Sequence, residues 1–157
     1  MRIAEIEGHP MIDKLKAAFA GTSYPGDEVI PGRPDSVDEA PEEFRQLRSR
    51  QWADLEIEAI PSLSPVLMWL SPEGLSYYLP AFLAAAIFSP ASAGSLDIIG
   101  FLAPPASRGR DWRGLAGRGH FRRLIEALTP DQKRVVGECL QHLRVNMDGV
   151  YSFWNPK

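Results

Sequence analysis

Apolar residues recur every three or four positions along much of the chain, which is the spacing of one face of an α-helix. A first helix is predicted from Pro10 to Gly21, because proline is tolerated in a first turn and glycine is typical of a helix end. A second is predicted from Glu39 to about Trp52, where Phe44 and Leu47 share one face. Both patterns are amphipathic, so each helix would bury one side.

Two further helices are predicted near the C-terminal end. Residues Phe121 to Leu128 fit one helix, and a capping box of Thr129 and Gln132 begins another that carries an apolar stripe. Cys139 lies on that stripe, where a thiol would be buried, protonated and inert.

Two segments give weaker patterns. Residues 55–68 begin with the strand-like alternation LEIEAI, but Pro61 and Pro65 leave too little chain for a sheet, so short helical turns are predicted. Residues 89–95, SPASAGS, are typical of a flexible link before the short apolar run from Leu96 to Leu102.

The segment LSPEGLSYYLPAFLAAAIF, residues 70–88, predicts a buried helix. Ser71 is a good N-cap, and Pro72 suits the first helical position. Beyond them apolar side chains lie on every side, and a helix that is apolar all round is a buried one. We therefore expect this segment to be the central helix of the fold.

Pro80 stands in the interior of that predicted helix. It lacks the N–H that would bond the carbonyl of Ser76, and its ring crowds that carbonyl, so a kink is expected at a cost of about 3 kcal/mol if nothing compensates. The bend would let the helix wrap its neighbours, with the Ser76 hydroxyl or a water bonding the freed carbonyl. Alternatively, that carbonyl faces a ligand or partner.

Together these elements predict an all-α fold: a single-domain irregular helical bundle of about five to six helices around a buried, proline-kinked central helix. The chain has 157 residues, of which 45% are apolar and 24% charged, as in an ordinary globular domain. Residues 1–157 are therefore taken as one helical domain, with an arginine- and glycine-rich loop at about 105–119 and flexible ends.

The composition and the apolar runs indicate which cellular compartment the protein occupies. A single cysteine cannot form an internal disulfide, which favours a reducing compartment. The N-terminal sequence MRIAEIEGHP carries charges where a signal peptide needs an apolar run, and the longest apolar stretch, Leu75 to Phe88, is too short to span a bilayer. We therefore expect a cytoplasmic protein without a membrane partner.

Charge is distributed unevenly along the chain. Ten acidic residues and four arginines lie between Asp27 and Glu58, whereas six arginines and only Asp111 lie between Arg108 and Arg123. Such runs usually face water or pair across the fold. Arginine and tryptophan are, however, the residues most enriched at binding hot spots. The candidate partner-binding residues in this arginine loop are Arg108, Arg110, Trp112, Arg113 and Arg118.

The sequence carries no motif for a metal or a cofactor. His9, His120 and His142 stand far apart, and neither HExxH nor CxxC occurs. Each histidine is expected at the surface or at a helix end, and no metal and no cofactor is expected.

A small-molecule site, if the protein has one, would include the turn SYPGDE. Asp27 is a carboxylate that this turn can present rigidly beside Tyr24, although a turn aspartate more often caps its own turn. Such a pocket would bring Tyr24 and Asp27 together with Tyr77 near the bend at Pro80, and the pKa of the carboxyl would be raised.

The segments AFAGTSYPGDEVI (18–30), LSPEGLSYYLPAFL (70–83) and LTPDQKRVVGECL (128–140), with Trp52 between the first two, together resemble a family of small bacterial domains of unassigned function. The resemblance spans about residues 10 to 145, and its most specific parts are YPGD and YYLPAFL. The insertion from Ser107 to Gly119 departs from the pattern. The resemblance implies a bacterial cytoplasmic protein and no chemistry.

Three functions remain open from the sequence. The first is a non-enzymatic module that binds another protein through the acidic segment or the arginine loop, for example an immunity-type protein that neutralises a toxin. The second is nucleic-acid binding by the loop Arg108–Arg123, with Trp112 and Phe121 stacking on bases, although a pI near 5.6 is not that of a dedicated nucleic-acid binder. The third is a small-molecule enzyme that uses the Tyr24–Asp27 pocket.

Overall fold

The structure, a computed structural model, describes residues 1–31, 42–102 and 118–143. Within these ranges it contains no strand beyond two isolated bridges, and the predicted single-domain, all-α bundle is confirmed. No helix in the described ranges is long and apolar enough to cross a bilayer. The helices are α1 (Pro10–Phe19), α2 (Pro72–Phe88), α3 (Ala93–Leu102), α4 (Arg118–Ala127) and α5 (Pro130–His142).

Helix α2 is the centre of the fold, as the sequence predicts. It contacts all four other helices, and every residue of it is buried except Glu73, Ser76 and Phe88. The hydroxyl of Ser71 accepts the N–H of Gly74 at 2.9 Å, so the predicted N-cap is confirmed.

Pro80 lies buried inside α2, and the kink expected there stays a prediction. The role proposed for the Ser76 hydroxyl is wrong. That hydroxyl donates to the carbonyl of Glu73 at 2.9 Å, one turn back along the helix, and so does not bond its own carbonyl.

Helices α1 and α5 pack antiparallel. Lys14 of α1 pairs with Glu138 of α5 at 2.7 Å, and the Gln132 side chain, at the start of α5, donates to the carbonyl of Ala18, at the end of α1, at 3.2 Å. The same glutamine completes the predicted capping box, because its Oε1 accepts the N–H of Thr129 at 3.0 Å. Gln132 therefore joins the end of one helix to the start of the other.

The 3₁₀ helix Ile60–Trp69 confirms the short helical turns predicted for this part of the chain. Helix α3 packs against this 3₁₀ helix. Gly94 of α3 lies so close to Pro61 that a Cβ added at Gly94 would be 2.1 Å from the carbonyl oxygen of Pro61. The flexible link predicted for residues 89–95 is wrong from residue 93 onward. The hydroxyl of Ser92 accepts the N–H of Ser95 at 3.1 Å and so bonds the first turn of α3.

The second helix predicted from the sequence is not formed in the described residues. Glu42–Gln46 is a short 3₁₀ helix, turns follow, and a second 3₁₀ helix spans Trp52–Asp54. The reason is long-range: side chains from two other segments bond the backbone between residues 47 and 50, as described below, which ends the helical ladder there. Residues 39–41 lie outside the described ranges.

The alternating segment LEIEAI is extended at its start and pairs there with the N-terminal residues. The N–H of Ile3 donates to the carbonyl of Leu55 at 3.1 Å, and that of Ile57 to the carbonyl of Met1 at 3.0 Å. Leu55 and Ile57 are buried while Glu56 is exposed, so the two-residue period reflects burial on one side of an isolated antiparallel bridge.

Candidate functional site

Two exposed loops meet at one point, which we call the Asp27–Ser49 junction and define as Tyr24, Asp27 and Ser49. The Ser49 N–H donates to Oδ1 of Asp27 at 2.8 Å, and the Ser49 hydroxyl donates to Oδ2 at 2.6 Å. The Tyr24 hydroxyl donates to the same Oδ1 and accepts the Ser49 N–H at 3.0 Å. Both carboxylate oxygens of Asp27 are thus bonded within the junction.

Ser49 has a backbone conformation that costs energy. Its φ is 54°, in the left-handed region, and among the described residues it is the one non-glycine residue with a positive φ. Such a conformation persists only where the surroundings hold it. Here Asp27 does so by accepting both the backbone and the side-chain proton of Ser49.

A buried tyrosine holds the same turn from the core side. The hydroxyl of Tyr78, on α2, lies 2.5 Å from the carbonyl oxygen of Leu47 and 2.8 Å from that of Arg50. Tyr78 is fully buried, and burial strongly raises the pKa of its hydroxyl, which therefore stays a proton donor. The turn at residues 47–50 is consequently held by hydrogen bonds to the buried Tyr78 and to the exposed Asp27.

Three tyrosines connect the junction to the core. The ring of Tyr24 meets that of Tyr77 edge to face at a centroid distance of 5.4 Å, and Tyr77 meets Tyr78 in the same way at 5.0 Å. Burial raises the pKa of all three hydroxyls; for Tyr24 the hydrogen bond to Asp27 adds to this effect. The structure thus brings together Tyr24, Asp27 and Tyr77; Pro80 lies buried three residues beyond Tyr77 on α2.

The electrostatics of Asp27 are the opposite of those expected for a general acid. Hydrogen bonds from the Ser49 hydroxyl, the Tyr24 hydroxyl and the Ser49 N–H, with the charge of Arg48 nearby, lower the pKa of its carboxyl below the ordinary 3.8. A carboxyl that acts as a general acid at neutral pH needs a raised pKa. The chemistry of the junction is therefore that of a fixed anion that anchors two loops.

The residues around the junction are open to solvent. Val29 is 42% exposed, which is unusual for an aliphatic side chain in this fold, and Glu28, Arg48 and Arg50 are exposed as well. Within the described chain no ion pair occupies the guanidinium of Arg48 or Arg50. The junction therefore presents one apolar and several charged side chains on a clamped backbone.

Histidine and cysteine behave as helix-end and core residues. His9 is the N-cap residue of α1 and His142 ends α5, and their rings lie edge to face with centroids 6.5 Å apart, a contact that the sequence did not suggest. Cys139 is buried, as predicted, and burial raises the pKa of its thiol to about 12. In residues 1–31, 42–102 and 118–143, no group of three or more histidine, cysteine, aspartate or glutamate residues could hold a metal ion.

Most of the predicted arginine loop lies outside the described residues. This applies to Arg108, Arg110, Trp112 and Arg113, while Arg118 begins α4 with a side chain outside what the structure describes. Farther along that helix, Arg123 pairs with Glu73 at 3.2 Å.

Where the structure describes it, the acidic segment forms one local ion pair and two with the N-terminal amino group. Glu42 lies 3.5 Å from Arg45, while Glu56 and Glu58 lie 2.6 and 2.9 Å from the amino group of Met1. Among the residues that the structure describes, no ion pair joins the acidic segment to the arginine-rich one.

Ser49 is the residue that sequence reasoning missed. It stands between two arginines in a segment predicted as helix, and a serine at a turn carries no sequence signal for a positive φ. Asp27 and Tyr24 were found because YPGD is a strong turn signal.

Comparison with known proteins agrees with the sequence resemblance. Neither a curated protein nor a solved structure matches the chain. A family described as "Family of unknown function (DUF6714)" matches residues 9–154, which include the YPGD, YYLPAFL and TPDQ segments. The chain therefore belongs to DUF6714, a family of unknown function.

Proposed function

We propose that the protein is a non-enzymatic protein-interaction module that binds its partner with the surface around the Asp27–Ser49 junction. The observation that carries the proposal is the left-handed Ser49, held in an exposed turn by Asp27. Backbone strain of this kind clusters at binding and switch sites, where the surrounding structure maintains a geometry that the isolated chain avoids.

The way in which the turn at residues 47–50 is held supports this proposal. Binding residues are commonly found on loops that a rigid scaffold positions, and a loop that is ordered before binding loses less entropy when the complex forms. Tyr78 and Asp27 hold the turn at residues 47–50 from opposite sides. The part of the surface that carries Arg48 and Arg50 is thus ordered before a partner binds.

The exposed side chains also suit a protein partner. Arg48 and Arg50 offer planar guanidinium groups, which are enriched at interface hot spots, and the exposed Val29 offers an apolar contact. An interface of this composition is polar with a small apolar centre, as is common for partners that also exist apart.

Site-specific photo-crosslinking in the native host tests the proposal. A photoreactive amino acid is placed at Val29 or Arg48, and the control carries it at Ala17, an exposed position on α1. We expect covalent adducts with one defined protein from the two junction positions and not from the control, and adducts that persist after nuclease treatment.

Adducts of equal yield from all three positions, or none from Val29 and Arg48, would contradict the proposal. Adducts that disappear with nuclease would point to nucleic acid in place of a protein partner.

A toxin-neutralising role in the bacterial cytoplasm is the finer form of this proposal. It is supported by the small size of this one-domain chain and by its single, buried cysteine, which suits a reducing compartment. The crosslinked protein, expressed alone, should then arrest growth, and co-expression of the present chain should restore it. A partner that is harmless by itself would exclude the toxin-neutralising role while leaving the interaction intact.

Nucleic-acid binding is a second candidate because six arginines and Trp112 lie within Arg108–Arg123. Phosphate contacts make affinity fall steeply with salt, so binding to single-stranded DNA should weaken strongly between low and physiological salt. It should be lost when Arg110 and Arg113 are replaced by alanine. Binding that is absent, or insensitive to salt, would remove this candidate.

A further inference from the structure

The loop on one side of the junction is fixed at its ends. At one end, the Gln132 side chain donates to the hydroxyl of Thr22 at 3.0 Å. At the other, the hydroxyl of Ser71 donates to the carbonyl of Val29 at 2.6 Å, and the N–H of Ser71 donates to the carbonyl of the buried Ile30 at 2.8 Å. Residues 23–29 form the span between these two attachments.

Little apolar burial holds the span itself. Each of its residues is partly or fully exposed, and within the described chain no backbone–backbone hydrogen bond joins residues 23–28 to another segment. Gly26 has a φ of 101°, so the span also contains a residue that moves between backbone regions at low cost. The attachments in its middle are the bonds from Asp27 and Tyr24 to Ser49 and the ring contact of Tyr24 with Tyr77.

The opposite side of the junction stores strain. Ser49 keeps its left-handed φ while Asp27 accepts two of its protons, and Tyr78 holds the neighbouring carbonyls from the core side. If the Asp27 contact breaks, Ser49 gains by relaxing to a common backbone region. Relaxation moves the N–H and hydroxyl of Ser49 away from the positions in which they donate to Asp27, so the open state would resist closing again.

We infer that the Asp27–Ser49 contact is a latch that closes residues 23–29 over Tyr77, and that this span opens as a local unit while the helical bundle stays folded. The open state uncovers the ring of Tyr77 and frees the Asp27 carboxylate. This goes beyond the proposed interaction and requires no partner, so either idea can fail without the other.

Native-state hydrogen exchange, measured by mass spectrometry at increasing urea, tests the latch. Exchange in Asp27→Ala is compared with wild type and with Asp97→Ala, a matched control that removes another exposed aspartate that accepts from a serine, Ser64, at 3.3 Å. Hydrogen bonds to charged groups are among the stronger ones, so in Asp27→Ala two bonded amides should exchange about tenfold faster or more: that of Ser49, which donates to Asp27, and that of Val29, which donates to Gly26 inside the span at 3.1 Å. The amides of α5 should keep the wild-type rate, and the faster exchange should depend little on urea, as local opening does.

The double variant Asp27→Ala/Ser49→Gly distinguishes the effect of backbone strain at Ser49 from the effect of losing the hydrogen bonds to Asp27. Glycine adopts a positive φ at no steric cost, so the bonded amides of the turn at residues 47–50 should regain slow exchange while the Val29 amide stays fast. If Asp27→Ala folds poorly, Asp27→Asn serves the same comparison.

Exchange in Asp27→Ala that matches the Asp97→Ala control would overturn the latch. So would a rise of equal size in α5 and in the span, because that would be a loss of global stability. Fast exchange of residues 47–50 in the double variant would show that strain at Ser49 has no part in it.

Discussion

Replacing Gly94 with alanine is expected to destabilise the protein, because α3 packs on the 3₁₀ helix Ile60–Trp69 without room for a side chain there. A Cβ at this position would lie 2.1 Å from the carbonyl oxygen of Pro61 and 2.6 Å from its carbonyl carbon. Real Cβ atoms essentially never approach another heavy atom within 3.0 Å. Both groups in contact are backbone, so no side chain can rotate away.

The size of the effect follows from what must move. To clear the proline carbonyl, α3 has to shift by about 1 Å, and it carries the buried Ile98, Phe101 and Leu102 with it. Overpacking of this kind costs about 1–3 kcal/mol. Alanine returns at most about 1 kcal/mol through its higher helix propensity, and less so near a helix start. We expect a net loss of about 0.5–2.5 kcal/mol, or a melting temperature lower by about 1–10 °C.

Thermal and urea unfolding followed by circular dichroism measure this loss. Gly21→Ala is the matched control, because a Cβ there meets nothing within 4 Å and its φ is not positive. The control should be neutral or slightly stabilising, by up to about 1 kcal/mol. A Gly94→Ala protein that melts with or above the wild type, or an equal loss in both variants, would refute the close packing of α3.

Four further predictions concern single side chains. Tyr78→Phe should lower the free energy of unfolding by about 1–3 kcal/mol, because two backbone carbonyls lose their shared donor; a loss below about 0.5 kcal/mol in urea unfolding would contradict the clamp. Gln132→Leu should cost a similar amount, about 1–3 kcal/mol, since α1 and α5 lose their shared cap, and an unchanged melting temperature would count against it. Cys139 should resist iodoacetamide at pH 8.5 in the folded protein and react after unfolding in urea, because burial raises its thiol pKa to about 12; equal rates in both states would be inconsistent with that burial. The folded-state pKa of Asp27 is lowered, so its contribution to stability is present above the ordinary 3.8 and is lost as the pH falls through the folded-state value. The wild type should therefore exceed Asp27→Asn in stability at neutral pH and converge with it in acid, and a gap that persists in acid would refute the assignment.

Helix ends were predictable where the signal is local. The Ser71 and Thr129 caps bond an N–H three residues ahead, so the starts of α2 and α5 were readable from single residues and their near neighbours. Helix α2 carries apolar side chains on every side, and this pattern predicts that it is buried whichever segments pack against it. The central helix and the buried Cys139 followed from these patterns alone.

The region between residues 42 and 54 was not predictable in this way. Its sequence has helical periodicity, yet Asp27 and Tyr78, each more than twenty residues away along the chain, bond the backbone at Ser49, Leu47 and Arg50. Helix propensity is a weak preference that such tertiary contacts override.

In the candidate site, too, local features were predictable from the sequence and long-range contacts were not. YPGD by itself predicted a rigid turn that presents Asp27 beside Tyr24, because proline and glycine restrict or permit backbone angles locally. The partner of that carboxylate, the positive φ of Ser49 and the direction in which the carboxyl pKa moves all depend on two loops meeting in space. The sequence alone determined the helices with local caps, the buried centre and the turn. Only the tertiary structure decided what Asp27 binds, because a hydrogen bond between residues 22 positions apart leaves no periodic trace in the chain.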